Sequence, residues 1–273
     1  MENFKGYDVI ILAGQSNADG FGISQTNQKY DERIELLLDE QLLAIYGKLD
    51  IDYDNFHKDL YPAKIIKRQA YDRQEDGTYR GCFAYSFAKE YLKNGLLKDG
   101  RKLLVVKTAV GGTGFYRKQW GVGNTLHNRM IQMVDYAMNL DGDNKIVAML
   151  WHQGESDTDI FMDIPTSERY DFYYTRLFET FNAVREKYGL PNLPIVCGQT
   201  TNEFFNLNKE NAETVLNATV DVCKKLDNTA FVRSDGLKTN NEELGNGDFY
   251  HFSYNSLIEF GKRYFKAFQE IIK

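Results

Sequence analysis

Five short apolar runs alternate with amphipathic stretches along the chain, and this alternation restricts the fold more than any other feature. The runs are apolar on consecutive residues, which is typical of strands covered on both faces of a parallel sheet. They lie at Asp8–Ala13, Lys102–Val106, Lys145–Trp151, Pro194–Gly198 and Thr229–Arg233. Five further stretches carry apolar residues at the helical spacings of three and four. These are Phe83–Leu97, Thr125–Leu140, Ser167–Tyr188, Glu210–Leu226 and Tyr254–Ile272.

This order predicts right-handed crossovers between parallel strands, with helices on both faces of the sheet. The chain has 273 residues, of which 42% are hydrophobic, enough to bury a substantial core. We therefore expect a single domain over residues 1–273, a three-layer α/β/α sandwich around a five-stranded parallel sheet.

Residues 20–80 interrupt the alternation. The segment contains polar turns, Tyr and Phe, with only weak periodicity, and it is too long for an ordinary loop. We predict an insertion over one end of the sheet that borders a substrate cleft.

Charge and composition exclude several function classes. The formal net charge of −6 is spread along the chain, whereas nucleic-acid binding depends on clustered Lys and Arg. No apolar run reaches the roughly 18 to 20 residues that span a bilayer, so we expect no membrane segment. Cys82, Cys197 and Cys223 are widely spaced, which favours buried free thiols over disulfides or a zinc site. The N-terminus has no signal-peptide pattern, so the expected location is the cytoplasm, or outside the cell if a signal has been removed.

The first predicted strand leads directly into Gly14-Gln15-Ser16-Asn17. Ligands of open α/β sheets collect at the carboxyl ends of strands, and Gly14 permits a sharp turn there. Ser16 would then present its hydroxyl to the crevice as a nucleophile. The alternative is a helix cap, since a serine oxygen can accept a bond from a free helix amide.

Two further strand ends carry unusual residues. The second predicted strand leads into a glycine-rich loop, in which the Gly112 amide is a candidate oxyanion donor. A phosphate-binding loop is not favoured because the nucleotide fingerprints are missing, while a plain tight turn stays possible. The third strand ends in His152-Gln153-Gly154-Glu155. The Gln153 side chain can donate to an oxyanion, and Glu155 can support the site or act as a second acid.

Near the C-terminus, Asp248 and His251 are three residues apart. This spacing can bring a carboxylate to the imidazole Nδ1–H and leave Nε2 as a base, although a surface pair has the same spacing. With Ser16, they supply the nucleophile, base and orienting acid that acyl transfer requires.

These blocks, in this order, resemble the SGNH hydrolase superfamily, and in particular its sialate O-acetylesterase-like branch, which includes acetylxylan esterases of carbohydrate esterase family six. The matching blocks run through nearly the whole chain: residues 11–17, 111–113, 152–155, 248–252 and 261–263. The resemblance implies a flavodoxin-like fold and deacetylation without metal or cofactor. It implies Ser16, His251 and Asp248 as a catalytic triad, and the Ser16 amide, the Gly112 amide and Gln153 as oxyanion donors. Gln15, Asn17 and Glu155 are candidate supporting residues.

The substrate implied by the resemblance is a small-molecule or polysaccharide acetyl ester of a carbohydrate. Two alternatives stay open: a GDSL-type lipase or thioesterase with the same triad, and a carbohydrate-binding protein that has lost catalysis. The sequence does not indicate an oligomeric state.

Overall fold

The computed structural model describes residues 4–26, 31–39, 64–66, 71–73, 77–160 and 164–273. The strands in these ranges are β1 Tyr7–Gly14, β2 Gly22–Ser24, β3 Ile34–Leu38, β4 Lys64–Ile66, β5 Tyr71–Arg73, β6 Tyr79–Gly81, β7 Lys102–Lys107, β8 Lys145–His152, β9 Ile195–Gly198 and β10 Thr229–Val232. The helices are α1 Ser16–Asp19, α2 Phe83–Lys93, α3 Thr125–Asn139, α4 Glu155–Ile160, α5 Thr166–Tyr188, α6 Asn202–Leu207, α7 Lys209–Lys225, α8 Asn240–Leu244 and α9 Tyr254–Ile271. Within these ranges, none of the helices is both long and apolar enough to cross a membrane.

The central sheet has the strand order β10-β9-β8-β1-β7-β3-β4. Neighbouring strands from β10 to β3 are parallel, and β4 runs antiparallel to β3. The α/β/α class is confirmed, and the five predicted strands and five predicted helices all form within a few residues of their expected bounds. The predicted number of five sheet strands is wrong, because β3 and β4 extend the sheet to seven.

Both additional strands come from the segment predicted as an insertion. In β3, the charged residue Glu35 interrupts the apolar run that would have predicted a buried strand. Glu35 is nevertheless only 2% exposed. Its carboxylate accepts bonds from Lys102 Nζ and the Tyr7 hydroxyl, which offset the cost of burying its charge. Residues 40–63 lie outside the described ranges. The cleft-bordering role of the segment and the single-domain assignment stay predictions.

A second, smaller sheet of order β2-β6-β5 is antiparallel and also belongs to this segment. It lies beside the last helix, because a Cβ placed on Gly22 of β2 would come within 2.4 Å of Leu257 Cδ1 in α9. Strand β2 therefore packs closely against α9.

The core lies on both faces of the central sheet. In β1, Val9 and Ile11 face one hydrophobic cluster, while Ile10 and Leu12 face the other. The first cluster includes side chains of α3, α5 and α7, and the second includes side chains of α2 and α9. The consecutive apolar residues of the strands thus reflect burial on two faces, as predicted. The three cysteines are buried and free, as also predicted.

Helices α2 and α9 are in close backbone contact at Gly261. A Cβ on Gly261 would lie 2.3 Å from the Phe83 carbonyl oxygen, an atom of the helix backbone that cannot move independently. We predict that Gly261→Ala lowers the free energy of unfolding by about 1–3 kcal/mol, the usual cost of overpacking a core. Urea denaturation followed by circular dichroism measures the change.

The control is Gly142→Ala, because a Cβ on Gly142 meets nothing within 4 Å. Its stability should stay within about 0.5 kcal/mol of the wild type, as for other surface substitutions. Equal midpoints and slopes for Gly261→Ala and the wild type would contradict the proposed backbone contact.

Candidate active site

Three of the predicted site elements meet at one edge of the sheet because β7, β1 and β8 are neighbours there. The Val110 amide donates to the Gly14 carbonyl at 3.0 Å, and the Gln15 amide donates to the His152 carbonyl at 2.8 Å. The ends of the three parallel strands are thus bonded to one another just before their polar residues. This is the edge at which α/β sheets bind ligands.

The turn after β1 requires glycine at position 14. Gly14 has φ +124°, and a Cβ there would lie 2.0 Å from the His152 carbonyl oxygen. The chain then turns into α1, whose N-cap is Gln15 and whose first residue is Ser16. The Ser16 hydroxyl makes no hydrogen bond within the described ranges, and the residue is 7% exposed. Ser16 is therefore not the cap that the alternative interpretation required.

Gln15 connects the β1 turn to the loop after β8. Its side-chain oxygen accepts from the amides of Ser156 at 3.1 Å and Gly154 at 3.3 Å, and from Gln153 Nε2 at 3.2 Å. All of these contacts are shielded from solvent, since Gln15 is 3% exposed. The Gln15 side-chain oxygen therefore holds the loop after β8 against the turn after β1.

Asn17 connects the same turn to the loop that carries His251. Its Oδ1 accepts from the Phe252 amide at 3.0 Å, and its Nδ2 donates to the Tyr250 carbonyl at 3.0 Å. The two bonds flank His251 on either side. Nδ2 also donates to Glu155 Oε1 at 2.7 Å. The side chain is 1% exposed, so it holds three elements together inside the protein.

The Asp248–His251 pair forms as predicted. His251 Nδ1 lies 3.0 Å from Asp248 Oδ2, and Asn240 Nδ2 donates to the same oxygen at 2.9 Å. Burial raises the pKa of Asp248, but the hydrogen bonds and charge of His251 and the bond from Asn240 outweigh burial and lower it overall. The carboxylate is therefore ionised at neutral pH. Its interactions stabilise the fold above the ordinary carboxyl pKa of about 3.9, and this contribution is lost as the pH falls below that value.

Phe21 lies between the His251 imidazole and the turn after β1. The Phe21 and His251 rings stack with centroids 4.5 Å apart and planes 17° apart. A Cβ placed on Gly111 would lie 3.6 Å from both Phe21 Cε2 and Ser16 Cβ, so the three residues surround one point. Ser16 and His251 thus both lie close to Phe21. No hydrogen bond joins the two side chains in the part of the chain that the structure describes.

The candidate oxyanion donors differ in their availability. The amides of Ser16 and Gly112 donate to no acceptor within the described ranges, and Gly112 is exposed. The Gln153 amide nitrogen, in contrast, has three acceptors: Asp157 Oδ2 at 2.8 Å, and Gln15 Oε1 and the Thr113 carbonyl at 3.2 Å. An amide nitrogen carries two hydrogens, so the two longer contacts share one of them.

Glu155 lies behind the site and not beside His251. It is 2% exposed, and Oε1 accepts from Asn17 while lying 3.4 Å from His152 Nε2. Burial raises the pKa of Glu155, but His152 and Asn17 outweigh burial and lower it overall. This arrangement favours the supporting role over that of a second acid. Among the described residues, no group of three or more His, Cys, Asp or Glu side chains could hold a metal ion.

Some contributors to the site were not predicted from sequence. Phe21 lies in the segment without clear periodicity, and Asn240 follows a loop that carries no known motif. Asp157 accepts from the amides of Phe115 and Tyr116 and so holds the glycine-rich loop. Of these three residues, only Asp157 could have been recognised from the sequence, because it follows the polar residues at the end of β8.

Sequence comparisons match most of this chain to known proteins. A family model described as carbohydrate esterase, sialic acid-specific acetylesterase, matches residues 6–270. The probable carbohydrate esterase At4g34215 of Arabidopsis thaliana is 35% identical over 197 residues, which cover 69% of this chain and 66% of that protein.

Two solved structures share the fold. The crystal structure of NanS has a TM-score of 0.72 at 18% identity, with 99% of this chain and 98% of that chain covered. The structure of XAC1771, a carbohydrate acetylesterase from Xanthomonas citri, has a TM-score of 0.59 at 16% identity, with 97% of this chain and 56% of that chain covered.

The Asn17 contacts lead to a prediction about stability. Asn17→Ala should lower the free energy of unfolding by about 1–3 kcal/mol, because Glu155 and the two backbone groups lose their buried partner. The amide of Phe252 should also exchange faster with deuterium. Hydrogen exchange followed by mass spectrometry or NMR measures this directly.

A matched control is Asn255→Ala, since Asn255 donates to Glu243 on the exposed surface. It should leave both stability and Phe252 exchange unchanged. If Asn17→Ala behaves in the same way as this control, Asn17 does not hold the His251 loop.

Proposed function

Because the chain belongs to the carbohydrate esterase, sialic acid-specific acetylesterase family, we propose that it hydrolyses O-acetyl esters on carbohydrate with Ser16 as nucleophile. One observation carries this proposal. The Asn17 side chain bonds to the backbone on both sides of His251 while Ser16 precedes it in the chain. A hydroxyl, an imidazole and a carboxylate are thereby held on one rim of the sheet, as acyl transfer requires.

In the proposed mechanism, His251 accepts the Ser16 proton as the hydroxyl attacks the ester carbonyl. Asp248 bonds to Nδ1 and orients the ring so that Nε2 serves as the base. Its charge also stabilises the imidazolium that forms. His251 then protonates the leaving sugar oxygen, and an acetyl group remains on Ser16. Water, activated by the same imidazole, releases acetate and restores the serine. The mechanism requires a hydrogen bond between the Ser16 hydroxyl and His251 in the substrate complex, since such bonds often tighten only with substrate present.

The oxyanion of the tetrahedral intermediate needs donors that are free before the reaction. The amides of Ser16 and Gly112 meet this condition. Gln153 is a third candidate through the hydrogen that its two longer contacts share, while its bond to Asp157 keeps the side chain in place. Each donor would contribute on the order of 3 kcal/mol to stabilisation of the transition state.

The first test replaces the nucleophile. Ser16→Ala should abolish release of p-nitrophenol from p-nitrophenyl acetate and block labelling by a fluorophosphonate probe, because no hydroxyl remains to be acylated. Ser167→Ala, on the exposed face of α5, is the matched control and should retain full activity. Retained hydrolysis by a folded Ser16→Ala variant would overturn the proposal.

The same assay tests the class of ester. Activity should fall steeply as the acyl chain of the p-nitrophenyl ester lengthens beyond acetyl, and acetate should be released from acetylated sugars. Equal or higher activity on long acyl chains would instead indicate a lipase or thioesterase. An unlabelled Ser16 together with sugar binding would indicate a binding protein without catalysis.

The second test separates the roles of the carboxylates of Asp248 and Glu155. Asp248→Asn should reduce kcat by about 10⁴-fold, because an amide in place of the carboxylate favours the wrong tautomer of the base. Glu155→Gln keeps an oxygen that can accept from Asn17, so it should reduce kcat far less, by no more than about 100-fold. Kinetics on p-nitrophenyl acetate at neutral pH measure both. The opposite ranking would assign the acid role to Glu155 and refute the proposed triad.

A further inference from the structure

We propose that a groove along helix α5 binds the glycan chain that extends from the acetylated sugar, and that this chain is neutral. The inference rests on the proposed function and concerns how a polymeric substrate is held. The groove lies between α5 and residues 115–124 of the loop after β7. Nothing in the catalytic mechanism above requires it.

The groove consists of two adjoining cavities of about 660 and 510 Å³. Val122 and Arg176 line both of them, so the cavities meet at these residues. One stripe of α5, at spacings of three and four, forms the floor. The stripe is Glu168, Phe172, Arg176, Glu179, Ala183 and Glu186. Between its first and last residues the helix rises about 27 Å, a length that suits an extended chain and exceeds one sugar.

The groove begins close to the candidate nucleophile. Gly111 adjoins Ser16, and Tyr116, five residues later, lines the first cavity. Five residues can span at most about 18 Å, and the loop is held in place where the Phe115 and Tyr116 amides bond to Asp157. A chain whose acetylated residue lies at Ser16 would therefore reach the groove within a few sugar units.

The lining suits a sugar chain better than an apolar ligand. Aromatic rings of Tyr116 and Phe172 offer faces for stacking, and the amides of Asn124 and Asn182 offer donors and acceptors for hydroxyls. The Arg176 guanidinium lies 5.9 Å from the centre of the Phe172 ring, so a cation and an aromatic face adjoin where the two cavities meet. Val122 is 49% exposed there.

The charged side chains that line the groove favour a neutral glycan chain over an acidic one. The carboxylates that line the groove are Glu168, Asp171, Glu179 and Glu186, whereas its cations are Lys118 and Arg176. Carboxylates accept hydrogen bonds from sugar hydroxyls but repel an acidic polymer, and this repulsion discriminates between the two. The same charges disfavour a long acyl chain, which would have to displace their water.

Hydrolysis as a function of chain length tests the proposal. For the wild type, kcat/KM should be higher on acetylated xylohexaose than on acetylated xylobiose. Arg176→Ala, on the exposed surface, and Phe172→Ala should each lower kcat/KM on the hexaose by about tenfold, the loss expected for one truncated contact. Both should leave p-nitrophenyl acetate hydrolysis unchanged. Arg117→Ala is the matched control, since Arg117 is exposed on the same loop but does not line the groove.

Binding to the Ser16→Ala variant supplies a readout that does not depend on catalysis. Calorimetry should detect unacetylated xylohexaose or cellohexaose but not an oligogalacturonide of equal length, and Arg176→Ala should weaken the binding of the neutral chain. Tighter binding of the acidic chain would overturn the charge argument. A homodimer that is dissociated by Arg176→Ala would show that a second copy occupies the groove, and would also overturn the proposal.

The glycan-binding role of the groove and the proposed esterase function can be refuted separately. Ser16-dependent hydrolysis without any effect of chain length, and without binding of either hexaose, would refute the groove alone. Hexaose binding that Arg176→Ala weakens, in a protein that hydrolyses no acetyl ester, would refute the esterase and keep the groove.

Discussion

The buried side chain of Asn17 is the interaction on which the geometry of the candidate site depends. The residue follows a turn near the N-terminus, and its partners Tyr250 and Phe252 lie more than 230 positions later. Only an amide offers donors and an acceptor together, so neither a carboxylate nor an apolar side chain could make the same set of bonds. Strand order brings the two chain segments to one edge of the sheet. The Asn17 amide then fixes the two segments relative to one another.

Two carboxylates near Asn17 are buried, although fold stability alone would not favour the burial of their charges. Glu155 and Asp157 are both at most 2% exposed, in the first turn of α4, where the helix dipole favours negative charge. Burial raises the pKa of Asp157, although bonds from Phe115, Tyr116 and Gln153 oppose the effect. Such local exceptions to apolar packing are expected at functional sites. Here each carboxylate holds a loop that adjoins Ser16. The unfavourable burial of these two charges therefore fixes the loops of the candidate site in position.

Sequence patterns predicted the fold where one physical rule dominated. Two-faced burial makes strands such as β1 and β8 apolar on consecutive residues, and these were placed within two residues of their ends. Where a charge is buried with partners distant in sequence, the same rule fails, as it did for Glu35 in β3. The ring of Phe21 could not be placed either, because its stacking on His251 depends on tertiary packing. Likewise, the acceptors around Gln153 follow from three-dimensional geometry that no motif encodes.

The proposed catalytic and substrate-binding parts of the molecule differ in how the fold supports them. Ser16 stands at the end of the central strand β1, and its chain neighbours Gln15 and Asn17 are at most 3% exposed, so a change there disturbs the core as well. The groove residues Val122 and Arg176 are exposed and make few interactions that the fold needs. Substitutions in the groove can therefore change which chain is held without disturbing the rim. Since loops and helix surfaces vary more easily than strand ends, the preferred glycan can change while the chemistry stays the same.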